Sequence, residues 1–246
     1  MFSGLKNHPF AIEAFFKTSL VLTFSVPKEQ LQPLIPACLT LDTFQDKWAF
    51  LAVALVHTTG LRPKGFPPFM GHEFFLIGYR IFVRYTTNTG KKLRGLYILK
   101  SETDRKKIQF LGNIFTHYQY TTTDISQAIS NHRIEIKSLT GGLSIAAETE
   151  QASPSLPPSS PFQSWKEARQ YAGPLPFTFS FNQKKKEVLI VQGIREHWTP
   201  QPVEIKGYKV PFLDALHLQE PSLASAFIIR NIPYHWKKGR IEKWNG

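Results

Sequence analysis

Four side chains have the type and setting to do chemistry on the pattern of the sequence alone. Arg80 and Arg84 fall on one face of the alternating stretch Tyr79 to Tyr85, with Phe82 between them. Turned inward, two guanidinium groups make a clamp for a carboxylate or phosphate, because each presents paired N–H donors. The opposite face, with Tyr79, Ile81, Val83 and Tyr85, is the more apolar. Strand alternation alone therefore makes that the core face and turns the arginines outward. Lys100 closes the apolar run Leu96-Tyr97-Ile98-Leu99 and precedes Glu102 by two residues. Buried, its amine would lose basicity and become nucleophilic; at a strand end the simpler outcome is a lysine reaching water beside Glu102. His57 ends an apolar strand on the parity of Leu51, Val53 and Leu55. Near a cavity it would exchange protons around neutral pH, although a hydrogen-bonded structural histidine is commoner.

These residues need strands to hold them. Leu20, Leu22, Phe24 and Val26 share a face by period-two alternation, and Arg133 to Lys137 is charged on one side and apolar on the other. Pro176 to Asn182 sets Phe177, Phe179 and Phe181 together, whereas Trp48 to Val56 is apolar on both faces and predicts a central strand covered on two sides. With the further segments near 79–85, 96–99, 143–147, 187–192, 203–206 and 226–230, the expectation is about ten strands. Helices are few. Pro27 opens a short turn through Leu31, and Asp104 to His117 carries Ile108, Leu111, Gly112 and Phe115 at helical spacing. Ser164 to Tyr171 starts with a capping box, Ser164 and Glu167. The Ser/Pro-rich stretch Gln151 to Pro161 is expected to be a surface loop inside one domain spanning residues 1–246, not a linker.

The chain has 246 residues and one cysteine, Cys38, so neither an intrachain disulfide nor a Cys-rich zinc site is available. Cys38 lies between Ala37 and Leu39 and is expected to be a buried, inert thiol. A cytoplasmic setting follows from that cysteine usage and from the lack of an export signal or a long apolar helix. The net charge of +12 is spread over short clusters such as Lys91-Lys92 and Lys184-Lys185-Lys186, at expected turns. That is where solvated charge collects, so nucleic acid is not expected as a partner. The eight histidines are dispersed without metal-ligand spacing, so no metal or cofactor is expected.

The order of segments resembles a known group. Val26-Pro27-Lys28-Glu29-Gln30-Leu31-Gln32-Pro33-Leu34-Ile35-Pro36, then Leu39 to Phe44, Gly60 to Pro68, Arg80 to Arg84 and His197-Trp198-Thr199-Pro200-Gln201-Pro202 resemble the YqjF-like family. This is an uncharacterised bacterial group of the acetoacetate decarboxylase superfamily, and the resemblance runs from about residue 18 to 232. It implies an α+β fold: a mostly antiparallel curved sheet closing into a barrel or cone around a cavity, with a few peripheral helices. An arginine recurs at the Arg80 position in the family, which weighs against the outward reading there. In acetoacetate decarboxylases a lysine after a Gly-aromatic-Pro turn forms a Schiff base with the keto acid. The comparable stretch, Gly112 to Tyr120, places Tyr120 at the lysine's position, and no lysine lies between Lys107 and Lys137. A phenol forms no imine, so the fold is carried over without the chemistry. The same comparison makes His117, Tyr118 and Tyr120 the residues expected to line the pocket.

The expected ligand set is thus Arg80, His117, Tyr118, Tyr120, His57 and Lys100, around a small, partly apolar organic acid. Proton transfer by His or Tyr in the same cavity is the enzymatic alternative, and a closed barrel displaying partner-binding loops is the third. No membrane partner is expected, and open sheet edges would pair two copies into a homodimer.

Overall fold

A computed structural model describes residues 5–149, 154–171, 175–196 and 198–246. His197 of the His/Trp/Pro segment and Gln151 to Ser153 of the Ser/Pro loop lie outside the described residues. The strands are β1 (Ile12–Pro27), β2 (Thr40–Leu41), β3 (Trp48–Pro63), β4 (His72–Thr86), β5 (Lys92–Thr103), β6 (Tyr120–Thr122), β7 (Ser126–Ser130) and β8 (Arg133–Ser138). They continue as β9 (Leu143–Glu148), β10 (Phe177–Asn182), β11 (Glu187–Arg195), β12 (Gln201–Pro202), β13 (Glu204–Lys209), β14 (Ser222–Trp236) and β15 (Arg240–Lys243). The α-helices are α1 (Lys28–Leu31), α2 (Lys106–Phe115), α3 (Trp165–Ala168) and α4 (Pro211–Ala215). Strand content exceeds the expected ten segments because short pairing elements such as β2, β6 and β12 are too brief to show a period.

The large sheet has eleven strands, and its path β14-β1-β3-β4-β5-β10-β11 returns to β14 through the pairing of Gly193 to Arg195 with Tyr234 to Trp236. The pairing is mixed. β10 and β6 both run parallel to β5, a departure from pure antiparallel order. Closure leaves the long strands with two covered faces, which explains why β3 is buried continuously from Ala49 to Val56. One apolar cluster lies between this sheet and a second, four-stranded sheet ordered β13-β9-β8-β7. It unites Leu20, Leu51, Val53, Tyr79 and Ile81 with Ile134, Ile136 and Ile145. The other cluster lies inside the ring, with Phe16, Phe50, Ala52, Phe82, Leu96, Phe227 and Tyr234.

An aromatic plug fills one part of that interior. Phe162 and Tyr171, from the segment flanking α3, pack on Phe50 at 5.2 and 4.2 Å. Ser164 caps α3 by accepting from the Glu167 amide at 3.3 Å, while the Glu167 carboxylate accepts from the Gln163 amide at 2.8 Å. The helix turn therefore follows its capping box, displaced by one residue at the return bond. Pro27 precedes α1 as its N-cap instead of opening it. No helix among the described residues is long and apolar enough to cross a membrane.

Candidate functional site

The unplugged part of the ring interior is a cavity of about 400 Å³. Its walls are the inward faces of β1, β3, β4 and β5, and one side of α2. The α2 residues on that side are Ile108, Leu111, Gly112 and Phe115, the set picked out by helical spacing. Phe66 and Met70, between β3 and β4, line the cavity and are 47% and 43% exposed, so they mark its mouth. Arg62 braces this rim: it pairs with Glu13 at 2.7 Å and donates to the carbonyls of Gly60 and Phe66 at 2.9 and 3.0 Å.

Arg80 points into the cavity, against the strand-pattern expectation and with the resemblance. The pattern fails because it assumes one wet face, and β4 has none here: Tyr79 and Ile81 join the cluster between the sheets while Phe82 joins the interior. The register shift beside Arg80 leaves Leu99 of β5 unpaired, whereas β4 keeps its alternation and holds Leu76, Gly78, Arg80 and Phe82 on the inward face. Gly78 supplies the space. A Cβ there would lie 2.7 Å from the Arg80 Nε, so the guanidinium folds flat over bare backbone. Arg80 has no acidic partner among the described residues, and its buried Nε has no hydrogen-bond acceptor. Its residual accessible surface is cavity wall, since the side chain itself sits deep in the protein. Burial lowers its pKa, and the neighbouring Tyr234, Tyr120 and Tyr118 hydroxyls act in the opposite sense. An arginine nevertheless stays charged.

Arg84 does not join it. Its guanidinium binds the buried Asp42 carboxylate at 2.6 and 2.8 Å, and Arg94 closes on the other carboxylate oxygen. In place of the clamp that two inward arginines would make, there is one guanidinium, Arg80, without an acidic partner among the described residues and one structural ion triad.

Tyr118 and Tyr120 both line the cavity. Gln119 between them adopts the left-handed conformation (φ 51°), and β6 then runs parallel to β5. Asn113 locks the turn by donating to the Tyr120 carbonyl at 2.9 Å and accepting from its amide at 2.8 Å. The Tyr120 ring lies on Gly112, where a Cβ would approach it to 2.4 Å. Tyr234 completes the phenol group; it stacks on Phe16 with ring centroids 4.9 Å apart and fits over Gly193. Burial pushes the Tyr120 hydroxyl up to about 12 and raises Tyr118 and Tyr234 as well. At neutral pH the three are therefore hydrogen-bond donors, not bases. Thr178 bonds the Tyr118 hydroxyl.

The other three expected residues lie elsewhere. His117 faces a small separate recess with Ser180, Asn182 and Glu187, because neighbours in an extended segment point to opposite sides. His57 points away from the cavity that its neighbours Val56 and Thr58 line; it bonds Glu73 at 2.8 Å and stacks on Phe75 at 4.3 Å. Lys100 is held by Glu102 at 2.5 Å, and Glu102 also accepts from the Tyr79 hydroxyl at 2.9 Å, on the face toward Phe212 of α4. No lysine lines the cavity among the described residues. The sequence reading missed Tyr234, Thr178 and His8. His8 is buried with φ 55° and an unpartnered Nδ1, and its backbone is tied to Phe115 and Gly239. Burial lowers its pKa. Among the described residues no group of three His, Cys, Asp or Glu side chains is placed to hold a metal.

The model of DUF2071, an uncharacterized conserved protein, matches residues 14–243. The chain belongs to the DUF2071 family. No curated protein matches it. Among solved structures it is similar to an acetoacetate decarboxylase-like enzyme from Sphingomonas wittichii RW1, with a TM-score of 0.61 and 11% identity over 95% of this chain and 93% of that one. Acetoacetate decarboxylase from Legionella pneumophila superposes with a TM-score of 0.62 at 9% identity, covering 95% and 88% of the two chains. The enduracididine biosynthesis enzyme MppR complexed with pyruvate gives 0.59 at 9% identity, covering 95% and 89%. At such identities this DUF2071 member shares their fold, and the likeness says nothing of its chemistry.

Proposed function

We propose that this protein binds a small organic acid inside the sheet-walled cavity, with the carboxylate on Arg80 and hydrogen bonds from the surrounding phenols. One observation carries the reading: a buried guanidinium faces an apolar cavity with no anion among the described residues to neutralise it. Leaving an ion so placed is costly unless a partner arrives. A carboxylate supplies the charge and the paired acceptors that a guanidinium fork matches. Tyr118, Tyr120 and Tyr234, kept protonated by burial, add neutral donors beside it. That a fold neighbour, MppR, is complexed with pyruvate, itself a carboxylate, agrees with an acid-binding use of this architecture.

With no lysine in the wall among the described residues, the reading includes no imine to the ligand. The side chains beside Arg80 are donors that orient and neutralise a bound acid. Titration calorimetry with monocarboxylates and their neutral amides tests the proposal. The acids should bind and the amides should not, and Arg80→Met should weaken acid binding by about ten- to a hundredfold, the worth of one or two charge-assisted hydrogen bonds. Equal binding of acid and amide, or an undiminished affinity in Arg80→Met, would sink it.

A further inference from the structure

The same cavity restricts the shape of the acid, an inference that rests on the carboxylate occupying Arg80. Along β4 the lining residues alternate from the mouth inward as His72, Phe74, Leu76 and Arg80, with the guanidinium folded back to the level of Gly78. From His72 to Gly78 a strand advances about 20 Å. Beside these positions in the sheet are Val56 and Thr58 of β3 and Leu96, Ile98 and Ser101 of β5, and the roof is Leu111 and Phe115 of α2. Apart from Thr58 and Ser101, these neighbouring and roofing positions are apolar. Spread along that strand length, a volume of about 400 Å³ makes the cavity longer than it is wide.

We infer that the ligand is a slender amphipathic monocarboxylate, a straight-chain or singly substituted alkanoic acid, bound head-inward. Its carboxylate sits at the blind end on Arg80 and its tail runs along Leu76 and Phe74 toward Phe66 and Met70. A short polar keto acid leaves the outer part of this slot without apolar contact. A bulky alicyclic acid cannot extend along the length of the slot as a straight chain does. The polar groups agree with the orientation. Arg80, Tyr118, Tyr120, Tyr234 and Thr178 gather at the inner end, whereas the mouth is held by Arg62 already engaged with Glu13. Head-outward binding would leave Arg80 facing a tail.

The test is calorimetric titration of the full chain with straight-chain acids from butyrate to decanoate, the matching primary alcohols, and adamantane-1-carboxylate. Affinity for the acids is expected to rise about fourfold per added methylene until the tail reaches the mouth. Adamantane-1-carboxylate is expected to bind more weakly than hexanoate. In Leu76→Trp the decanoate-to-butyrate affinity ratio should fall by tenfold or more. If the acids bind with no dependence on chain length, or the adamantane acid binds best, the slender-tail inference is overturned while the anion reading stands. If alcohols match acids at every length, the anion reading falls, and this inference with it. The wild-type comparison of straight and bulky acids decides the matter even if Leu76→Trp does not fold.

Discussion

Arg80→Met should make the ligand-free protein more stable, although it removes the side chain on which the proposed function rests. Burying an ion costs several kcal/mol in a real protein interior, and pairing normally offsets that cost. Arg80 has no acidic partner among the described residues, and its Nε has no acceptor. Two features reduce the penalty: part of the guanidinium faces the cavity, and three phenol hydroxyls lie close by. The net destabilisation left in the empty protein is therefore about 1–2 kcal/mol. A methionine is unbranched and apolar, and it fills the space over Gly78 without a charge. The variant should gain about that much stability, about 3–6 °C in Tm for a domain of this size. Urea unfolding followed by tryptophan fluorescence checks it, after any retained ligand has been removed by unfolding and refolding. The midpoint should rise at unchanged m. A loss of more than 1 kcal/mol would refute the reasoning, because it would mean that the arginine holds the fold together. Stability gained where function is lost is the signature of a binding group kept at a cost to the fold.

Other expectations follow from the geometry. Asp42→Ala strands two guanidinium groups and should cost about 2–4 kcal/mol by urea unfolding, less than a fully buried pair because Arg84 is half exposed. Gly193→Ala puts a methyl 2.1 Å from the Tyr234 oxygen, so it should destabilise by about 1–3 kcal/mol and weaken acid binding together. A variant with wild-type values for both would contradict the packing. Burial holds the pKa of His8, His72 and His117 below the ordinary 6.5. The unfolded chain then takes up protons that the folded one refuses, so stability should fall as the pH drops below about 6.5. Urea midpoints at pH 7.5, 6.5 and 5.5 measure this, and His8→Gln should reduce the slope. Lys100, paired with Glu102 away from the cavity, should give no adduct when the protein is treated with pyruvate and borohydride, and a stoichiometric adduct at Lys100 by peptide mass mapping would place its amine in reach of the ligand.

Much of the framework was legible because it is local. The apolar run through β3, the alternation of β8 and β10, and the capping box of α3 each write their structure into consecutive residues. The α2 stripe was legible too, though as a helix face and not as a cavity wall. The candidate site was less so. Arg80 was misdirected by the strand rule because ring closure covers both faces of β4, and only the arginine that recurs there in the family spoke for the cavity. His117 followed Tyr118 and Tyr120 into the expected set by adjacency, but extended backbone sends adjacent side chains to opposite sides. Tyr234, Thr178 and His8 were invisible for another reason. They share a cavity with Tyr118 only because β14, β10 and the N-terminal segment are brought around the ring. Gly78, Gly112 and Gly193 carried a usable signal, since each clears room for a ring or guanidinium, but a glycine in a strand or helix does not say which neighbour needs the space.

The most direct test of an anion-binding cavity is native mass spectrometry of the gently purified protein beside Arg80→Met. A reproducible non-covalent added mass, lost on denaturation, identified as a carboxylic acid and absent from the variant, is the expected result. An unliganded spectrum that stays unliganded after incubation with straight-chain acids, or an adduct retained undiminished by Arg80→Met, would contradict the account.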